Sequence, residues 1–184
     1  TNYEEGVKRI PAAALSAVAA RQLSQDLKND PHLQFNLQLS CEAFERTMQA
    51  NVIAEIRGTE FPNEYITIGG HLDSWDLAEG AHDDGTGVVQ TLEVLRTLKA
   101  LNYQPKHSIR FVLFANEENG TRGAEKYAAE AKAKNEKHIF ALESDAGGFT
   151  PRGFGFSMNA AQLNKVQAWL PLLKPFGIEQ LSMG

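Results

Sequence analysis

Apolar and polar positions along this chain alternate between two periods. The runs NVIAEIRG (51–58), EYITIGG (64–70), SIRFVLFA (108–115) and HIFALES (138–144) are short and apolar, and they predict strands. Between them the apolar positions return every three or four residues. That spacing predicts helices over residues 86–99, with Val88, Val89, Leu92 and Leu95 on one face, and over 122–134. Near-continuous apolar strands alternating with such helices predict an α/β fold, a mixed and mostly parallel sheet with helices on both faces. FGFSM (154–158) predicts a further strand. Residues 160–176 predict a helix that bends or ends at Pro171, with no element after it.

The opening of the chain reads differently. IPAAALSAVAARQLSQDL (10–27) predicts a helix with Ser16 as N-cap and Val18, Leu23 and Leu27 among its apolar positions. LQFNLQL (33–39) alternates as a half-buried strand should. The change of pattern near Asn51 sets a boundary between residues 1–50 and 51–184. A chain of 184 residues is long enough for one sizeable core, and it carries no internal repeat or low-complexity segment.

Chemistry gathers where the strand candidates end. GGHLDSWDLAEGAHDD (69–84) follows EYITI and sets His71, Asp73 and Asp83 around two glycine turns. His71 and Asp83 are spaced to ligate one metal ion, with Asp73 placed to accept the proton of the other imidazole nitrogen. Glu117 and Glu118 follow the run IRFVLFA, and Asp145 follows IFALES. An acidic pair after a strand is by itself a solvated loop or a helix start. Three such clusters at successive strand ends converge, because the carboxyl ends of parallel strands border one crevice.

Composition narrows the partners. With 23 acidic against 18 basic residues and a net charge of −5, the chain offers no basic stripe for nucleic acid. No apolar run approaches the roughly 20 residues of a membrane span. The single cysteine, Cys41, has no partner for an internal disulfide.

The motifs GGHLDSWD (69–76), GAHDDGTG (80–87), NEENGTRGA (116–124) and ESDAGGFTPRG (143–153) carry a resemblance over nearly the whole chain. The chain resembles the co-catalytic di-zinc exopeptidases of the aminopeptidase and glutamate carboxypeptidase type. The SWD and ESDAG segments are similar to the plasma-type carboxypeptidase branch. The resemblance implies that His71 and Asp145 hold one zinc, Glu118 the other, and Asp83 bridges the two. It implies Glu117 as general base and Asp73 as the partner of His71 outside the ligand set. It implies a cis peptide between Asp83 and Asp84, a short peptide as substrate, and an extracellular or periplasmic location. A homo-oligomer is a further expectation, because an uncovered sheet edge invites self-association.

The resembling proteins have a histidine ligand for the second zinc far downstream of the Asp145 position. The histidines here are His32, His71, His82, His107 and His138. His107 and His138 precede strands, on the edge away from the site. His82 adjoins Asp83 and is the remaining alternative ligand. The resemblance therefore implies a C-terminally truncated catalytic domain, inactive as it stands, preceded by the tail of an inserted protease-associated domain in residues 1–50. Two other functions use the same fold: a glutaminyl-cyclase-like acyl transfer with one zinc, and a non-catalytic binding relative. A third reading makes the acidic clusters the solvated rim of an interaction domain. Aminopeptidase and carboxypeptidase specificity share every residue named.

Overall fold

The computed structural model describes all residues except 1–5, 9, 43 and 46. The chain divides into two units, residues 1–48 and 49–184. In the first, Ser16 caps helix α1 (Ala17–Asn29) by accepting the Ala19 N–H at 3.1 Å, as its position before the apolar repeat predicts. No residue of α1 is buried. Residues 33–39 form no strand, contrary to their alternation, and Phe35 is exposed. A period of two makes a strand only when a neighbouring backbone completes its hydrogen bonds, and the described residues of this unit supply none.

The second unit is built on a sheet of β1 (Val52–Ile56), β2 (Phe61–His71), β3 (His107–Phe114) and β4 (Lys137–Glu143), in spatial order β1-β3-β2-β4. Strands β2, β3 and β4 are parallel, and β1 runs antiparallel to β3. Helix α2 (Gly85–Ala100) connects β2 to β3, and α3 (Arg122–Ala133) connects β3 to β4. The first crossover moves one way along the sheet. The second returns across β2. Crossovers between parallel strands are right-handed, so the two helices lie on opposite faces. Tyr127 of α3 packs on Phe114 and His138, on the face that carries Arg110. Asp84, the cap of α2, and Gly87 within it lie against Gly70, on the other face.

The core centres on β3, where Ile109, Phe111, Val112 and Leu113 are all buried. On α2 the residues turned inward are Gly87 and Thr91, with Val88 and Leu95 half-buried, whereas Val89 and Leu92 are exposed. The apolar face expected for this helix is thus rotated. Its first turn is placed by the Asp84 N-cap, and a close approach through Gly87 then faces the 87, 91 and 95 row to the sheet.

A small parallel pair, β5 (Gly153–Phe156) and β6 (Gln180–Met183), packs with α4 (Ala160–Gln167) around Val166, Ile178 and Leu181. The helix expected over 160–176 with a bend or end at Pro171 is divided, and its first part stops at Gln167, before the proline. Pro171 lies in the first turn of a separate short helix α5 (Leu170–Leu173), where its missing N–H costs nothing. A 3-10 turn (Lys174–Phe176) and β6 follow, an element absent from the sequence reading. Among the described residues, no helix is long and apolar enough to cross a membrane.

Candidate metal centre

The chain reverses its direction along the sheet after β3, so β2 and β4 adjoin at a switch point, and the crevice there collects what leaves the strand ends. His71 is the last residue of β2, Glu117 and Glu118 follow β3, and Asp145 follows β4. All four candidate ligands meet there. The His71 ring is 1% exposed, and its Nε2 lies 3.1 Å from Asp83 Oδ1 and 3.3 Å from Asp145 Oδ1. One ligand atom each from His71, Asp83 and Glu118 lie within 4.8 Å of one another. The peptide between Asp83 and Asp84 is cis, as the resemblance implies.

The other ring nitrogen fixes the imidazole. Nδ1 donates to the backbone carbonyl of Asp73 at 2.9 Å, so in the neutral ring Nε2 presents its lone pair to the two carboxylates. This corrects the expected role of the Asp73 side chain, whose carboxylate stands 3.7 Å from Nδ1. That carboxylate instead accepts the backbone N–H groups of Glu117 at 2.8 Å and Glu118 at 3.2 Å. The cause is local. Asn116 has a left-handed φ of 58°, which turns the chain as it leaves β3, and successive N–H groups after such a turn form a concave anion-binding nest.

Asp84 is the site residue that the sequence reading left out. It is 1% exposed and accepts from the His71 N–H at 2.9 Å and the Gly87 N–H at 3.0 Å. It therefore caps α2 and ties the helix to the end of β2. Its signal was present in the sequence, as an aspartate directly before a glycine-containing helix start. Helix and strand can approach this closely because residue 87 has no side chain; a Cβ there would fall on the Ser144 carbonyl and the Asp84 carboxylate. One atom each from His71, Asp84 and Asp145 also cluster within 4.8 Å, but the Asp84 oxygens already serve backbone donors.

His82 belongs to neither group of ligand atoms that come together among the described residues. Its Nδ1 accepts the Gly148 N–H at 3.3 Å, and its ring meets the edge of Phe149, so it holds the loop after Asp145. His107 stacks on Phe61 and lies 3.2 Å from Glu64, and His138 bonds Thr67 and Glu136; both sit at the opposite ends of the strands.

A cation would relieve the charges of this cluster. Burial alone would lower the His71 pKa, but the Asp73 carbonyl and the carboxylates of Asp145, Asp84 and Glu117 outweigh it and raise it. Glu118 is pushed up by burial and by Asp83. Its Oε1 is buried with no hydrogen-bond partner. An ionised oxygen left so costs several kcal/mol by order of magnitude unless a counter-charge completes it. One imidazole and three carboxylates suit zinc, which takes both nitrogen and oxygen donors.

Residues 51–180 match the peptidase family M28. Carboxypeptidase Q of Rattus norvegicus is 33% identical over 97% of this chain and 38% of its own length, and the Homo sapiens protein matches equally. The crystal structure of a peptidase M28 precursor from Shewanella amazonensis SB2B superimposes with a TM-score of 0.83 at 36% identity, over 100% of this chain and 41% of that one. A zinc aminopeptidase of Bacillus subtilis shares the fold, with a TM-score of 0.57 at 22% identity over 72% of this chain and 34% of that one. The chain thus spans well under half the length of these relatives, and it belongs to peptidase family M28.

Proposed function

We propose that the protein carrying this chain is a zinc-dependent exopeptidase acting on dipeptides or other short peptides. The observation that carries the reading is the convergence of Asp83 and Asp145 on Nε2 of a buried, carbonyl-oriented His71. His71, Asp83 and Asp145 would hold one ion, and Asp83 with Glu118 would contribute to a second. Zinc bound there supplies Lewis acidity toward the scissile carbonyl and the attacking water.

The remaining chemistry belongs to the chain. Water attacks the carbonyl carbon as the Glu117 carboxylate takes its proton; the C–N bond then breaks and Glu117 returns the proton to the leaving amine. Glu117 is half-buried, adjoins Glu118, and has its backbone N–H held by the Asp73 carboxylate at 2.8 Å, which supports this role. Asp73 fixes the backbone from which both glutamates project. Residues 1–50 are assigned to the tail of an inserted domain.

The test is hydrolysis by the full-length protein of free, N-blocked and C-blocked dipeptides, with and without zinc. Zinc-dependent cleavage of the free dipeptide is expected, and the blocked substrate that survives identifies which terminus is read. Zinc-independent or absent cleavage of all three contradicts the reading.

A further inference from the structure

Between β3 and α3 the chain makes a loop that carries both glutamates, and the two ends of this loop are joined by one side chain. Asn51 precedes β1, which runs antiparallel to β3 with Val52 opposite Leu113, so it lies beside the site end of β3. Its Oδ1 accepts the Ala115 N–H at 3.0 Å, and its Nδ2 donates to the Gly123 carbonyl at 2.9 Å. The Gly123 N–H in turn donates to the Ala115 carbonyl at 3.0 Å and closes the ring. The amide orientation is forced, because one partner can only donate and the other can only accept. A Cβ at residue 123 would strike Ala115 and the Asn51 side chain, so glycine is required for the approach.

We infer that Asn51 is a positioning residue for Glu117 and Glu118: it pinches the base of their loop while Asp73 holds its tip. Within the loop, the Glu117 carbonyl accepts from Gly120 and Thr121, and the Asn116 carbonyl accepts from Arg122. These bonds keep the loop's internal shape. They do not attach it to the sheet. That attachment falls to Asn51 and Asp73, and only an asparagine amide offers a donor and an acceptor at this reach. Loss of Asn51 should therefore displace the Glu118 donor while His71, Asp83 and Asp145, held by β2, α2 and β4, stay in place.

The inference rests on the peptidase reading, and the experiment separates the two. Zinc affinity of each position is measured in the full-length protein by competition with a chromophoric chelator, beside kcat and KM for a dipeptide. The comparison covers wild type, Asn51→Ala, Asn51→Asp and Val112→Ala, the last a loss of packing in the buried centre of β3. Removing a group that orients ligands costs about 10–100-fold in metal affinity or activity. Asn51→Ala should weaken one zinc position by that factor, leave the other unchanged, and lower kcat more than it changes KM. Val112→Ala should lower thermal stability without separating the two positions. Should Asn51→Ala fail to fold, Asn51→Asp is read in its place, since it keeps the shape and the acceptor but loses the donor to Gly123. Equal affinities in wild type and variant, or equal loss at both positions, overturn the inference alone. A wild type that binds no zinc overturns it together with the peptidase reading.

Discussion

The carboxylate of Asp73 accepts the backbone N–H of Glu117 at 2.8 Å, so the residue two positions after the buried histidine governs the loop after the neighbouring strand. Its carbonyl orients the ring of His71 at the same time. One residue thus sets the geometry of two strand ends. Asp73→Asn should preserve the ring orientation, which depends on backbone, and disturb the glutamates, because an amide nitrogen would face an N–H. The expected result is a fall in kcat of about 10–100-fold, the usual cost of removing an orienting partner. The measurement is steady-state kinetics beside metal analysis. A variant with full kcat would deny Asp73 this role.

Glu117 and Glu118 should separate by function. Glu117→Gln keeps bulk and removes basicity, so kcat should fall by about 10²–10⁴-fold, the usual contribution of a general base, with zinc content intact. Glu118→Gln should lower zinc occupancy. Equal metal loss in both variants would reverse or merge the roles.

On the proposed reading, one zinc position would have three donors within this chain, His71, Asp83 and Asp145, and the other would have Asp83 and Glu118. Catalytic zinc sites use about three protein ligands. Calorimetric titration of the 184-residue chain should therefore show one tight ion and one weak ion, with negligible dipeptide hydrolysis. Two tight ions with turnover would assign a ligand role to a further residue, His82 first.

Away from the site, Arg110 holds Glu136 at 2.6 Å and Glu55 at 3.0 Å and lies 4.0 Å over the ring of Tyr65. Burial alone would raise the Glu136 pKa, but the Arg110 guanidinium and His138 outweigh it and hold it below the ordinary carboxylate value. A lowered carboxylate contributes stability that is present above its unfolded pKa and lost as pH falls through the folded one. Urea unfolding should show Glu136→Gln less stable by about 1.5–3 kcal/mol at neutral pH, with the difference shrinking as the pH falls through and below the ordinary carboxylate range. A constant difference across that range would contradict the assignment.

Much of this was legible in the sequence because it depends on period and on strand ends. His71, Glu118 and Asp145 stand after apolar runs, Asp83 was reached by its spacing from His71, and parallel strands bring such strand ends together. The contacts of Asp73 and Asn51 were not legible, since each reaches backbone groups 44 to 72 positions away in sequence. The segment 33–39 misled because alternation records a capacity for pairing, not the presence of a partner. The inward face of α2 was misjudged because its approach is set by a glycine and a threonine, which no apolar pattern marks.

Anomalous diffraction from crystals grown with zinc addresses the metal centre itself. A peak about 2.0–2.2 Å from His71 Nε2 and from a carboxylate oxygen of each of Asp83 and Asp145 is expected, as zinc distances require. Zinc bound elsewhere, or at His82 with Asp145 turned away, would contradict it.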